Sequence, residues 1–205
     1  CLLQFPWALI SAAVAVFPLL VVVLFTMIRD GIEDILRWKS DQKINSTIGH
    51  RLSNGSFQDT KWMDIYVGDI IQINKDEQIP ADVVILSTSN EDRSAYIDTC
   101  NLDGETNLKV RQSLPITQRL KTGQEFAEFN AKIECDKPNN QLYTFNGNIE
   151  INSQHYSLDN KQILLRGCNL RNTQWSIGAV VYTGLESKIM LNASEVPKDR
   201  TSSVA

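Results

Sequence analysis

The chain has 205 residues, 42% hydrophobic and 21% charged, the make-up of one ordinary globular domain with some length to spare. Its formal net charge of −4 makes it a poor electrostatic match for nucleic acid, and no nucleic-acid partner is expected. Four cysteines, at 1, 100, 135 and 168, form no Cys-x-x-Cys pair, and only His50 and His155 supply imidazoles. A zinc site is therefore set aside, and the thiols read as a reduced, cytosolic set.

Residues 1–28 carry no charge, and in residues 9–28 only Ser11, Pro18 and Thr26 depart from apolar character. About 20 such residues suffice to cross a bilayer core, so a membrane-spanning helix is expected. A signal peptide fits poorly, because neither a basic start nor a small-residue cleavage site after Ile28 is present. A buried soluble helix would usually carry a polar face. Arg29, Arg37, Lys39 and Lys43 follow the apolar run. Basic residues just beyond a spanning segment mark the cytoplasmic side, leaving the glycosylation-like tripeptides at Asn45, Asn54 and Asn192 unmodified. Ile28, Ile32, Ile35, Leu36 and Trp38 then recur at helical spacing, predicting an amphipathic extension to about Lys43. Gly31 weakens it by up to about 1 kcal/mol. The start at Cys1, inside an apolar run, suggests a piece of a longer protein.

From Ile44 the pattern shifts to short β-branched runs. VGDIIQI and PADVVIL flank the turn NKDEQI, and AYIDTC forms another strand. Residues 124–129 suit a short helix. KIEC, QLYTFNGNIEI, HYSL, ILLRGCNL and WSIGAVVYTG supply further strands. Many short strands without long helices between them predict a mainly β domain, a sandwich or barrel, over residues 44–192. Residues 1–43 form the membrane segment and its extension. Residues 193–205 read as an outgoing linker. No internal repeat or low-complexity segment is evident.

Within residues 95–112, AYIDTCNLDGETNLKVRQ, Asp103-Gly104-Glu105-Thr106 is an acidic turn entered from a strand. Taken alone, Asp-Gly is an ordinary hairpin connection. Its setting changes the reading. VGDIIQINKDEQIPADVVIL (67–86), YIDTCNLDGETNLKVRQ (96–112) and ILLRGCNLRNTQWSIGAVVYTGLESKIML (163–191) together resemble the actuator domain of P-type ATPases, and within them the phospholipid flippases of type IV. GIEDILRWKSD (31–41) resembles those pumps' second membrane helix as it enters the cytosol. Asp-Gly-Glu-Thr-Asn-Leu-Lys is the flippase form of the loop, where cation pumps usually carry Thr-Gly-Glu-Ser.

The resemblance implies a distorted, jelly-roll-like β-sandwich attached to a transmembrane helix. It also implies that Glu105 places the water that hydrolyses an aspartyl phosphate formed in another domain. Gly104 would let the backbone approach that phosphate, and Asp103 and Thr106 would shape the loop. Asn107 and Lys109 continue the signature. Leu2-Leu3-Gln4 resembles the end of the first membrane helix, making Gln4 a candidate for the lipid path, although a polar residue at a helix end is its more ordinary role. On the same ground, residues 6–13 would form a luminal turn and the second helix would begin near Val16. Composition alone favours an uninterrupted span from Leu9, and both readings stand.

Implied partners are a phospholipid substrate, the membrane, the pump's remaining cytosolic domains and a small glycosylated accessory subunit. ATP and Mg2+ are implied for the whole pump and not for this segment. The phosphorylated Asp-Lys-Thr-Gly-Thr is missing, since Asp136-Lys137-Pro138 does not match it, and no glycine-rich phosphate loop is seen. The expectation is a segment of an ATP-driven flippase, integral to a membrane with its β-domain cytosolic. The alternatives are a membrane-anchored β-domain with a binding or regulatory role, and a cation pump. Among other residues, Asp69 and Asp82 could pair on a metal but more simply cap turns. Trp62 and Trp175 read as packing residues at the domain boundary. Arg166, Arg171 and Lys188 suit either a contact with neighbouring domains or a solvated surface.

Overall fold

The computed structural model describes residues 5–194, with side chains for residues 16–193. It divides into two compact units, Cys1–Ser46 and Thr47–Ala205.

The first unit is one helix, α1 (Phe5–Asn45), with Pro18 inside it. Residues 6–13 are helical, so the luminal turn expected there is not formed. They contain no glycine, and Pro6 falls in the first turn, where its missing N–H has no intrahelical partner to lose. The amphipathic extension is present and ends at Asn45, with an Arg29–Glu33 ion pair of 3.1 Å along its surface. The expected membrane span is corrected: among the described residues no helix is long and apolar enough to cross a membrane. Among residues 16–28, whose side chains are described, the uncharged run ends at Arg29 after 13 residues, fewer than the roughly 20 that a bilayer core requires. Residues 9–15 of the expected span, and Gln4, lie outside the described side chains.

Short β-branched runs build the second unit. In chain order its strands are β1 (Ile48–Ser53), β2 (Ser56–Lys61), β3 (Ile70–Asn74), β4 (Asp82–Thr88), β5 (Ser94–Asp98) and β6 (Lys109–Gln112). Then come β7 (Lys132–Cys135), β8 (Gly147–Ile151), β9 (Gln154–Leu158), β10 (Ile163–Leu164), β11 (Asn169–Arg171) and β12 (Trp175–Tyr182). Three short helices, α2 (Cys100–Asp103), α3 (Gly123–Glu128) and α4 (Lys188–Ser194), sit among them. The described unit is thus mostly β. A six-stranded sheet runs β10-β4-β12-β3-β1-β2, and two three-stranded sheets run β11-β5-β6 and β7-β8-β9.

The large sheet is centred on β4, every residue of which is buried, and on β12, buried from Ser176 to Tyr182. Strands covered on both faces need continuous apolar runs rather than alternation, which is what Val83–Leu86 and Ile177–Val181 supply. Where the two pair, the register slips between Ile177 and Gly178. A Cβ at Gly178 would stand 2.4 Å from both Val83 Cγ1 and the Val84 carbonyl oxygen, so only glycine fits that approach. Trp62 and Trp175 pack against this core, as their sequence reading expects.

Two elements differ from the sequence reading for identifiable reasons. The β1–β2 hairpin closes through Asn54-Gly55, both at positive φ (50° and 79°), the favoured two-residue turn. Its strands are too polar to show as an apolar run. The short helix expected at 124–129 is shifted by one residue to α3, because Thr122 and Glu125 close a capping box that sets its start.

Candidate functional site

The acidic turn lies between β5 and β6, which pair antiparallel with Ile97 opposite Lys109. The Asp-Gly dipeptide is not a two-residue hairpin turn. After β5, the Asp98 carboxylate accepts the Cys100 N–H at 3.0 Å and starts the single turn of α2. Gly104 ends that turn in the left-handed region, φ 73°, and its N–H donates to the Cys100 carbonyl. Nothing lies within 4 Å of the place a Gly104 Cβ would occupy, so backbone conformation and not crowding within this domain calls for glycine.

Asp103 organises the loop. Its carboxylate accepts from the Thr99 hydroxyl (3.1 Å), the Glu105 backbone N–H (3.0 Å), the Lys109 ammonium (2.5 Å) and the Tyr143 hydroxyl (3.0 Å). Its side chain is 12% exposed. The Lys109 contact, helped by the Glu105 N–H, Tyr143 and Thr99, holds this carboxyl far below the usual carboxylate range. The same pairing with Asp103 raises the Lys109 pKa and, through the hydroxyl, that of Tyr143.

Glu105 is next in sequence and opposite in character. Its side chain is 61% exposed, and Lys109 Nζ lies 3.1 Å from its carboxylate. Lys109 thus bridges a sheltered carboxylate and a projecting one. The backbone turn locked by Asp103 and Gly104 presents Glu105, with Thr106 and Asn107 also exposed beyond it. A loop so built can hold one carboxylate at a fixed place in solvent and deliver it to a partner surface.

Tyr143 is the member of this cluster that sequence reading missed. It comes from the β7–β8 connection, and no spacing pattern ties it to position 103. Arg111, one residue beyond Val110 on β6, was also missed. It is nearly buried, its Nε has no hydrogen-bond partner among the described residues, and burial depresses its pKa.

The other sequence candidates fall elsewhere. Asp69 accepts the Tyr66 N–H at 2.8 Å, a turn cap, and lies 3.6 Å from Arg51. Asp82 is fully buried and accepts two backbone N–H groups from distant chain, Arg166 at 2.8 Å and Lys188 at 2.7 Å. Burial, opposed by those two bonds, raises its pKa. Among the described residues no group of three or more His, Cys, Asp or Glu could hold a metal ion. Arg166 donates to the Gly184 carbonyl at 2.7 Å, and Arg171 pairs with Asp76 at 2.5 Å. Lys188 is wholly buried, its ammonium bonded to Asn139 Oδ1 (2.7 Å) and the Gln141 carbonyl (3.1 Å). Lys188 is therefore neither a solvated residue nor a contact for a neighbouring domain.

The β unit thus carries its acidic loop between two paired strands at one edge of a three-stranded sheet. Comparison with known families makes the assignment: residues 43–190 match the P-type ATPase actuator domain, and the chain belongs to that family. It is similar to "Probable phospholipid-transporting ATPase 5" of Arabidopsis thaliana, 44% identical over 95% of this chain and 16% of that protein. It is similar also to "Phospholipid-transporting ATPase IC" of Xenopus tropicalis, 42% identical over 94% of this chain and 15% of that protein. "Phospholipid-transporting ATPase FetA" of Mus musculus is 41% identical over 91% of this chain and 16% of its own length. The chain thus spans about a sixth of the length of the curated relatives it matches.

Proposed function

We propose that this actuator domain works in an ATP-driven phospholipid-translocating pump, where Glu105 places the water that hydrolyses an aspartyl phosphate formed elsewhere in the pump. The observation that carries the reading is the contrast between two neighbouring carboxylates. Asp103 is tied down by four donors, while Glu105, one glycine further on, projects with most of its surface in solvent. A carboxylate that must enter another domain's site has to be exposed in its own domain and held on a stiff support.

In the proposed step the Glu105 carboxylate accepts a proton from water as the water oxygen attacks phosphorus. The bond between phosphorus and the aspartyl oxygen breaks, and the aspartate leaves as a carboxylate. Lys109 orients Glu105 from the side, and Asp103 keeps Lys109 and the Glu105 backbone in place. Thr106 shapes the loop beyond Glu105.

ATP and magnesium act in the remaining domains of the pump. Among the described residues there is neither a glycine-rich phosphate loop nor a group of three or more His, Cys, Asp or Glu that could hold a metal ion, and no step here runs through ATP or magnesium. The pump is integral to a membrane with the β unit on the cytosolic side. Support comes from the relatives, which are phospholipid-transporting ATPases by name. Gln4 near the lipid path and a small glycosylated accessory subunit remain part of the proposal on the resemblance alone. A phospholipid rather than a cation as cargo is supported by the names of the relatives and by Asp-Gly-Glu-Thr-Asn-Leu-Lys at the loop. The test is the full-length protein carrying Glu105→Gln: its phosphoenzyme should form and persist, and wild-type turnover should rise with added phospholipid. Decay at the wild-type rate, or stimulation by a cation instead, defeats the reading.

A further inference from the structure

Tyr143 reaches the acidic loop from forty residues away, and the segment that carries it is fastened at both ends. On the near side, the Lys188 ammonium of α4 holds Asn139 and Gln141, and Asn192 of the same helix donates to the Asn140 carbonyl at 3.1 Å. Tyr182, the last residue of β12, donates its hydroxyl to the Asp136 carbonyl at 2.6 Å. Within the segment, Asn139 accepts the Gln141 N–H at 3.2 Å and Thr144 donates to Gln141 Oε1 at 2.6 Å. On the far side, Phe145 is buried, edge-on to Tyr182 with ring centroids 6.4 Å apart. Tyr143 therefore stands between two pinned points, although its own ring is half exposed.

From that position Tyr143 makes two contacts with the loop. Its hydroxyl donates to Asp103 Oδ2 at 3.0 Å, and Lys109 Nζ lies 4.8 Å from its ring centroid. It touches both members of the pair that supports Glu105, without touching Glu105 through any hydrogen bond. A solvated surface tyrosine would have no need of an anchored segment on each side.

We propose that Tyr143 is a positioning residue for dephosphorylation, fixing Asp103 and Lys109 so that Glu105 is presented in one orientation, and that residues 136–145 form a strap passing the position of α4 to that loop. The inference rests on the reading of Glu105 given above and adds a residue and a route to it. Displacement of α4 has a hydrogen-bonded route to the loop through Lys188, Gln141 and Tyr143. The ring supplies a face for the lysine, and the hydroxyl supplies a charge-assisted hydrogen bond.

The experiment measures phosphoenzyme decay in the full-length pump for Tyr143→Phe, Asp103→Ala, the double variant and Glu105→Gln. Tyr143→Phe keeps the ring and removes only the hydroxyl, so it retains the packing of the strap. Loss of one such hydrogen bond should slow decay by about 3- to 10-fold. In the Asp103→Ala background the same change should have no further effect, since its partner is gone. A purely structural role for Tyr143 would give equal effects in both backgrounds and would overturn the proposal. Wild-type decay in Tyr143→Phe would overturn it as well. If Glu105→Gln itself decays at the wild-type rate, the underlying assignment of the loop fails instead, and the two failures are told apart.

Discussion

Replacing Asp103 with asparagine tests the support of the loop without changing its size. The carboxylate accepts from Thr99, the Glu105 N–H, Lys109 and Tyr143, and an amide oxygen can keep the first two while losing the charge that holds Lys109. Hydrogen bonds to charged groups contribute about 1.5–3 kcal/mol, and this one is sheltered, so Asp103→Asn should destabilise the β unit by about 2 kcal/mol. With a urea slope of about 2 kcal/mol/M, the midpoint should fall by about 1 M, read through the tryptophans at 62 and 175 that pack on the core. The pH dependence has a definite sign. The folded carboxyl titrates well below the unfolded one, so its contribution is complete above an unfolded pKa of about 3.9 and fades as pH falls towards the folded value. The gap between wild type and variant should therefore be constant at pH 5–7 and narrow below about pH 4. An absent gap at pH 7, or one that persists undiminished at pH 2, would refute the role given to Asp103.

Asp82 should behave in the opposite sense. Asp82→Ala strands two backbone N–H groups, of part-buried Arg166 and buried Lys188, and should cost about 2–5 kcal/mol in urea unfolding. Because burial raises its folded pKa, its titration favours the fold below an unfolded pKa of about 3.9, and that advantage is lost as pH rises through the folded value. Gly104→Ala meets no clash but must hold φ near 73°, so it should cost about 1–2 kcal/mol by the same unfolding assay.

Strand runs rich in valine and isoleucine, such as those of β4 and β12, were legible because burial on both faces demands continuous apolar sequence. The polar hairpin of β1 and β2 was legible only in Asn54-Gly55, since its strands are half covered at best. The acidic turn at residues 103–106 could be located from its order along the chain. Tyr143 could not, because its bond to Asp103 joins positions 40 residues apart in sequence. Lys188 misled for a related reason. A lysine after a strand looks solvated, yet the carbonyl of Gln141 and the amide of Asn139 close over it. The first helix shows the limit of composition in another way. An apolar stretch in the sequence predicted a span, yet among the described residues no helix is long and apolar enough to cross a membrane.

The central claim is that Glu105 performs the hydrolysis for which the rest of the loop is scaffolding. Phosphoenzyme decay in the full-length pump carrying Glu105→Gln measures this directly, since the amide keeps the shape and lacks the base. Removing a positioned general base should slow decay by about 100-fold or more, with phosphoenzyme accumulating. Decay within about twofold of wild type would contradict the account, because general-base catalysis is not lost so cheaply.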